Sequence, residues 1–227
     1  MGVEMGFSSD QEQFKDIVGR FMADKSPPTA VRENMASEQG YDPAVWLQLS
    51  QEVGVLGTHL PEAYGGFGFG PVEQGIISEE MGRYLYCGPY FASAVMAGYA
   101  ILNGGDETQK SKLLAAIASG DVIAAFAIDD LNDPTKMGQS FSRLSSREGE
   151  TLTGSAPMVV DAHIADVLII PVNDNGVVGL FEVAADDAKI LARECLDPTR
   201  KLSSVTLLDS PATQVGELQK DAVMRLW

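Results

Sequence analysis

The strongest constraint on this chain is a change of hydrophobic period near Gly120. Before it, apolar residues recur at helical spacing between marked start and stop signals; after it, short β-branched runs alternate with turn residues. A chain that keeps its helices and strands apart in this way folds as α+β and not as a βαβ sheet. The start signals are individually readable. Ser9-Asp10-Gln11-Glu12 reads as a capping box, followed by the apolar stripe Phe14, Ile17, Val18, Phe21 and Met22. Asp42-Pro43 opens a second helix with Trp46, Leu49 and Val53 on its buried face and Gly54 as its stop. Pro71 opens a third, to about Arg83; a fourth runs from about Phe91 to Leu102; Asp106 caps a fifth, with Leu113, Leu114 and Ile117 on one face and Gly120 at its end.

Strands are expected at 122–128, 151–153, 158–160, 167–172, 177–183, 190–191 and 204–208. Asn173-Asp174-Asn175-Gly176 marks a hairpin, because Asn-Gly accepts the positive φ angles of a tight turn. From Val215 the spacing of Leu218, Ala222 and Leu226 turns helical again. The expected organisation is an all-α domain over 1–120, a small antiparallel β-barrel or sandwich over 121–212, and over 213–227 the start of a truncated C-terminal helical segment.

Composition narrows the function. Thirty-two acidic against 16 basic side chains, a formal charge of -16, argue against a nucleic-acid backbone or an anionic membrane as partner. A phosphate-bearing ligand stays open, since backbone N–H groups can hold phosphates whatever the net charge. Cys87 and Cys195 are far apart and outside any metal-type spacing, which suggests buried thiols in a reducing compartment. His59 and His163 lack nearby ligand partners, so no metal site is expected. No basic-then-apolar leader and no run of roughly 20 apolar residues is present, and a cytoplasmic location is the expectation.

Two motifs carry a family likeness. Leu60-Pro61-Glu62-Ala63-Tyr64-Gly65-Gly66-Phe67-Gly68 resembles the acyl-CoA dehydrogenase segment L-P-E-x-Y-G-G-x-G, and Glu79-Glu80-Met81-Gly82-Arg83 resembles its E-E-x-G-R. The glycines Gly65, Gly66, Gly68 and Gly70 allow a tight, close-packed loop; their spacing is not that of a dinucleotide fingerprint. Glu79 and Glu80 read either as a general base or paired acid, or as a charged helix face locked to Arg83 or another helix.

The resemblance implies FAD as cofactor, an acyl-CoA substrate, an electron-transfer flavoprotein or similar acceptor, and a homo- or hetero-oligomer in fatty-acid or steroid side-chain metabolism. It aligns 126–131 with the family's Y/A-x-x-T-E-P strand: Phe126 and Ile128 fit, Asp129 stands where Thr is usual, and Asp130 replaces Glu. Asn132-Asp133-Pro134-Thr135 stands in place of a G-A-G-S turn, with Thr135 able to replace the Ser hydroxyl. Met158, Val159 and Val160 occupy the W-I-T of the second flavin segment, so Met158 could pack on the ring in place of Trp, while Val160 lacks the hydroxyl. The other reading of 158–160 is a plain buried strand. Tyr90, Phe91 and Met96 either line the acyl pocket or pack the core.

The family's catalytic Glu lies in a C-terminal four-helix domain, so no catalytic residue is assigned to this chain. Three functions compete: an acyl-CoA dehydrogenase whose base lies outside the chain; a non-catalytic acyl-CoA-binding or partner subunit of a heteromeric dehydrogenase; and a flavin-dependent monooxygenase of the same fold. Asp129, Pro134 and Val160 favour the second.

Overall fold

A computed structural model describes residues 6–128, 136–146, 149–174 and 177–220. Its helical half begins with α1 (Ser9–Lys25), capped one residue earlier than the sequence suggests. The Ser8 side chain accepts from the Gln11 amide at 3.2 Å, and the Gln11 side chain accepts from the Ser8 amide at 3.0 Å. Val18 and Met22 are buried, Phe14 and Phe21 partly so, while Ile17 faces outward. A short helix absent from the sequence reading follows, α2 (Pro28–Ala36).

In α3 (Pro43–Gln48) the Asp42 carboxylate accepts from the Ala44 amide at 2.8 Å, a cap that fixes the entry of Trp46 into the core. The Trp46 indole donates to the Gly120 carbonyl at 3.1 Å, and the Ser50 hydroxyl donates to that of Ala118 at 2.8 Å. These two bonds tie the C-terminal end of α6 (Glu107–Ser119) to α3 and to the π-helical turn Leu49–Val53 that continues it. The glycine loop folds back on residues 57–61. Its amides at Gly66, Phe67, Gly68 and Phe69 donate to the carbonyls of Pro61, Gly57, Leu60 and Thr58, so none is left to hold a phosphate. A Cβ on Gly66 would lie 2.0 Å from the Leu60 carbonyl oxygen, which is why that position must be glycine.

In α4 (Pro71–Arg83), Glu79 pairs with Lys15 of α1 at 2.6 Å. Glu80 is 1% exposed, with Lys15 at 3.8 Å and Arg83 at 3.7 Å. The charged-face reading of the pair therefore holds: the two carboxylates fasten α4 to α1. A π-helical stretch, Phe91–Ala97, runs into α5 (Gly98–Gly104). Its buried Ser93 hydroxyl accepts from the Ala124 amide at 3.0 Å and so seats the first strand on the helices.

Among the described residues the seven strands are β1 (Ala124–Phe126), β2 (Phe141–Ser146), β3 (Gly149–Val160), β4 (Val167–Asp174), β5 (Val177–Ala184), β6 (Lys189–Arg193) and β7 (Leu202–Lys220). Their order is β1-β4-β5-β7-β3-β2, with β6 also on β7. All pairings are antiparallel except β1 with β4, so the sheet is mixed, and it does not close into a barrel. β4 and β5 pair in register up to the expected hairpin turn, whose tip at 175–176 lies outside the described residues. The two strands expected at 151–153 and 158–160 are one, β3, interrupted by irregular register against β7.

Over 213–220 β7 stands where the start of a helical segment is expected; 221–227 lie outside the described residues. Val215 pairs with Leu180 and the pairing continues to Lys220, because β5 offers an open edge that the segment completes. At Gly216, with φ of +78°, a Cβ would sit 1.9 Å from the Gly104 carbonyl oxygen, so the strand lies directly on the end of α5.

The result is three layers. Alternate residues of β1 point opposite ways: Ala124, Phe126 and Ile128 join the helical core, while Ala125 and Ala127 join Leu152, Val159, Leu168, Ile170 and Phe181 in a second core inside the sheet. The strands β1-β4-β5 with the far half of β7 form the middle layer, buried on both faces, which explains why 122–128 reads as a continuous apolar run.

Candidate functional site

Of the family-like positions, those at the end of β1 lie at the seam between helices and sheet, and those in β3 do not. At the end of β1, Phe126 and Ile128 are 5% and 6% exposed and face the helices. The amides beside them are already used: Ala127 donates to the Ile169 carbonyl at 2.9 Å and Ile128 to that of Phe126 at 3.0 Å. Asp129 and Thr135 lie outside the described residues. Where the chain resumes, Met137 is buried and the Gly138 carbonyl accepts from the Asn173 amide at 3.0 Å, so β4 anchors both flanks of that segment.

In β3, Val159 is buried in the sheet core, as a plain strand residue would be. Met158, 53% exposed, points the other way with Pro157, onto a groove of about 520 Å³ whose wall includes Leu196 and Leu202 and whose charged rim includes Arg193 and Arg200. Val160, half-buried, ends the strand opposite Leu202 and presents only methyl groups. Apart from Cys195, which also lines the groove, these wall and rim residues are not among those singled out in the sequence. The only signal there is the turn at Asp197-Pro198, where the Asp197 carboxylate accepts from the Thr199 amide and hydroxyl at 2.9 and 2.6 Å; these bonds hold its pKa below the ordinary value.

Behind Val160 the chain turns sharply at Asp161, which has φ of +54° and is 5% exposed. Burial raises its pKa from 3.8 to about 6, against the opposing pull of Arg200 and the Lys201 amide. Arg200 itself donates to the Gly88 carbonyl at 2.8 Å, and Lys201 to that of Met35 at 2.7 Å; both tie the sheet to the helical half. Cys87 is buried and its thiol pKa is pushed up by burial, so it is a poor nucleophile; Cys195 is half-exposed, not buried as expected.

The three candidate acyl-pocket residues differ in their surroundings. Tyr90 is in the helical core, its phenol pKa raised by burial; Met96 packs partly against that core; Phe91 is 47% exposed and points away. Among the described residues no cluster of three His, Cys, Asp or Glu could hold a metal ion, and no helix is long and apolar enough to cross a membrane.

Tested against a flavin, the described residues do not fit. The Ala127 and Ile128 amides are taken, the Val160 side chain has no donor, and Val159 faces the core. Only Pro157 and Met158 offer a surface, and it is apolar.

Comparison with known proteins is consistent with the motifs. Residues 8–121 match the family model described as acyl-CoA dehydrogenase, N-terminal domain. Acyl-CoA dehydrogenase FadE27 of Mycobacterium tuberculosis is 32% identical over 162 residues, 70% of this chain and 42% of that protein. Mitochondrial isovaleryl-CoA dehydrogenase of Bos taurus is 29% identical over 169 residues, 73% and 39% of the two chains. Among solved structures, the ChsE4-ChsE5 complex of Mycobacterium tuberculosis superposes with a TM-score of 0.83 at 23% identity, covering 99% of this chain and 61% of that one. A glutaryl-CoA dehydrogenase of Mycobacterium smegmatis in complex with FADH2 gives 0.83 at 19% identity, covering 97% and 59%. The chain thus spans about two-fifths of the length of these curated relatives.

Proposed function

Because this chain belongs to the acyl-CoA dehydrogenase family, we propose that it is a partner subunit of a heteromeric acyl-CoA dehydrogenase, with flavin and catalytic base held by another polypeptide. The observation carrying this reading is that the described flavin positions offer no side-chain hydrogen-bond donor: Phe126, Ile128, Met158, Val159 and Val160 are all apolar, and the Ala127 and Ile128 amides are bonded to the Ile169 and Phe126 carbonyls. Asp129 in place of Thr supports it, since a carboxylate beside a reduced flavin would oppose the charge that builds on the ring.

The family's reaction removes an α-proton with a carboxylate and passes a β-hydride to the flavin, which supplies the redox chemistry when bound. Neither carboxylate of the Glu79-Glu80 motif is placed to take that proton. Glu80 is shut between α1 and α4, and Glu79 is held by Lys15. What the chain contributes is a packed helical layer and the wall of the Met158 groove, both able to exclude water from an acyl thioester. Likeness in fold to the ChsE4-ChsE5 and Tcur3481-Tcur3483 proteins, the latter described as a steroid acyl-CoA dehydrogenase, supports the heteromeric reading and a steroid-linked acyl chain as substrate. The acceptor, an electron-transfer flavoprotein or its like, would then serve the flavin-bearing partner.

The domain limits proposed with this reading are a helical unit to residue 120 and a sheet unit from 121 onward. Flavin absorbance tests the assignment. The chain purified alone should be colourless and fail to retain added FAD through gel filtration. Co-expressed with a flavin-bearing acyl-CoA dehydrogenase subunit from the same organism, it should elute in one complex whose flavin band bleaches on adding an acyl-CoA. A yellow chain, with one FAD bound and bleaching by itself, would overturn the proposal in favour of a self-sufficient flavoprotein.

A further inference from the structure

A second hollow lies entirely within the helical half, lined by no residue of the sheet. It has a volume of about 360 Å³ and sits between the start of α2 and the end of α4. Val31, Met35 and Leu85 form its apolar part, and Arg32 and Arg83 its charge. No carboxylate lines it, in a chain where acidic side chains outnumber basic ones two to one. A local reversal of sign on so acidic a surface concentrates anions at that spot.

The two guanidiniums differ in how they are held. Arg32 is exposed and, among the described residues, makes neither an ion pair nor a hydrogen bond. Arg83 lies over the Tyr84 ring at 5.8 Å, which orients its plane, and its nearest carboxylate is that of Glu80 at 3.7 Å. It also borders a neighbouring hollow of mixed charge, which holds Lys15 and Arg20 together with Asp16 and Glu80.

The rim carries a further mark. Helix α4 ends in a reverse turn in which the Leu85 amide donates to Gly82 and the Tyr86 amide to Met81, with Leu85 at φ of +50°. Glycine is the usual residue there. Leucine is strained in that conformation, and its side chain is 59% exposed on the wall of the hollow.

From this juxtaposition we infer that the hollow binds a phosphate monoester carried on an apolar body, the phosphate between Arg32 and Arg83 and the body on Val31, Met35 and Leu85. Planar guanidiniums match phosphate oxygens in paired hydrogen bonds, and the apolar wall selects against bare inorganic phosphate. A soluble alkyl phosphate and a phosphatidate head group share this chemistry. The site stands independently of the proposed role in a heteromeric dehydrogenase, because none of its residues borders the Met158 groove.

The test is calorimetric titration of the full chain with octyl phosphate, and co-sedimentation with phosphatidylcholine vesicles with and without phosphatidate. Saturable one-to-one binding of octyl phosphate, weakened about tenfold or more in Arg32→Ala and in Arg83→Gln, is the expected result. Octanol should not bind, and inorganic phosphate should bind far less tightly. Sedimentation only with phosphatidate vesicles, lost in Arg32→Ala, would support the site and assign it to a lipid source. Absence of binding to both probes at millimolar concentration, or binding unchanged in both variants, would overturn the inference. Arg83→Gln removes a neighbour of buried Glu80; should it fail to fold, exposed Arg32→Ala decides alone.

Discussion

Asp161→Asn should make the protein more stable at neutral pH, although it removes a charge near Arg200. The carboxyl is buried, and its pKa stands at about 6 instead of 3.8. At about 1.4 kcal/mol for each tenfold change in proton affinity, holding it ionised in the fold costs roughly 3 kcal/mol at pH 7. The sign follows from proton counting. Between pH 3.8 and about 6 the folded chain keeps this proton more than the unfolded chain does, so stability falls as pH rises through that window. Below the window the penalty is absent; above it the penalty is full. Asparagine has the same shape, carries no charge, and tolerates the left-handed backbone that Asp161 adopts at φ of +54°. Urea unfolding of both forms across the acid range to neutrality is the assay. The variant should exceed the parent by up to about 3 kcal/mol at pH 7 and match it near pH 4. Other titrating groups cancel in the difference. Two curves that stay parallel, or a variant weaker at neutral pH, would refute the account; the pairing with Arg200 would then outweigh desolvation.

Two further outcomes follow from the same seam and core. His59 is buried beside Tyr99, their rings 4.6 Å apart, and burial lowers its pKa from 6.5 to about 4, opposed by the backbone at Ala94. Its contribution is complete above pH 6.5 and is lost as pH falls toward 4, roughly 2 kcal/mol of it by pH 5, and His59→Gln should abolish that slope in the same urea series. Gly216→Ala puts a methyl group 1.9 Å from the Gly104 carbonyl oxygen at a left-handed position, and should cost about 3 kcal/mol or more, read as a drop in melting temperature; Gly68→Ala, also left-handed but with open space around it, should cost less.

Elements that carry their own chemistry were legible in the sequence. Asp42, Asp106, Gly54 and Gly120 sit at helix ends as expected, because capping is a local matter of one side chain or one backbone angle. The hairpin between β4 and β5 is local in the same sense. What escaped was non-local. Residues 215–220 read as helical by their spacing and become strand because β5 has an edge to fill. β2 pairs with β3 through Phe141 to Ser146, a mostly polar run whose only large buried side chain is Phe141. The candidate site divides along the same line. Period-two alternation could have sent Phe126 and Ile128 to one face and Ala127 to the other, but which face meets helices depends on three layers. The Met158 groove needs the 193–202 turn brought beside β3, which no motif announces.

The long strand β7 has a consequence for how the sheet comes apart. It hydrogen-bonds to β3 and β6 along its first half and to β5 along its second, with a kink at Asp209, where φ is +52°. One peptide segment is therefore the shared spine of both halves, and neither half can open while the other stays shut. Native-state hydrogen exchange should find the slow amides of β3, β5 and β7 released in a single cooperative event, as one foldon. A single backbone cut near the kink would uncouple them.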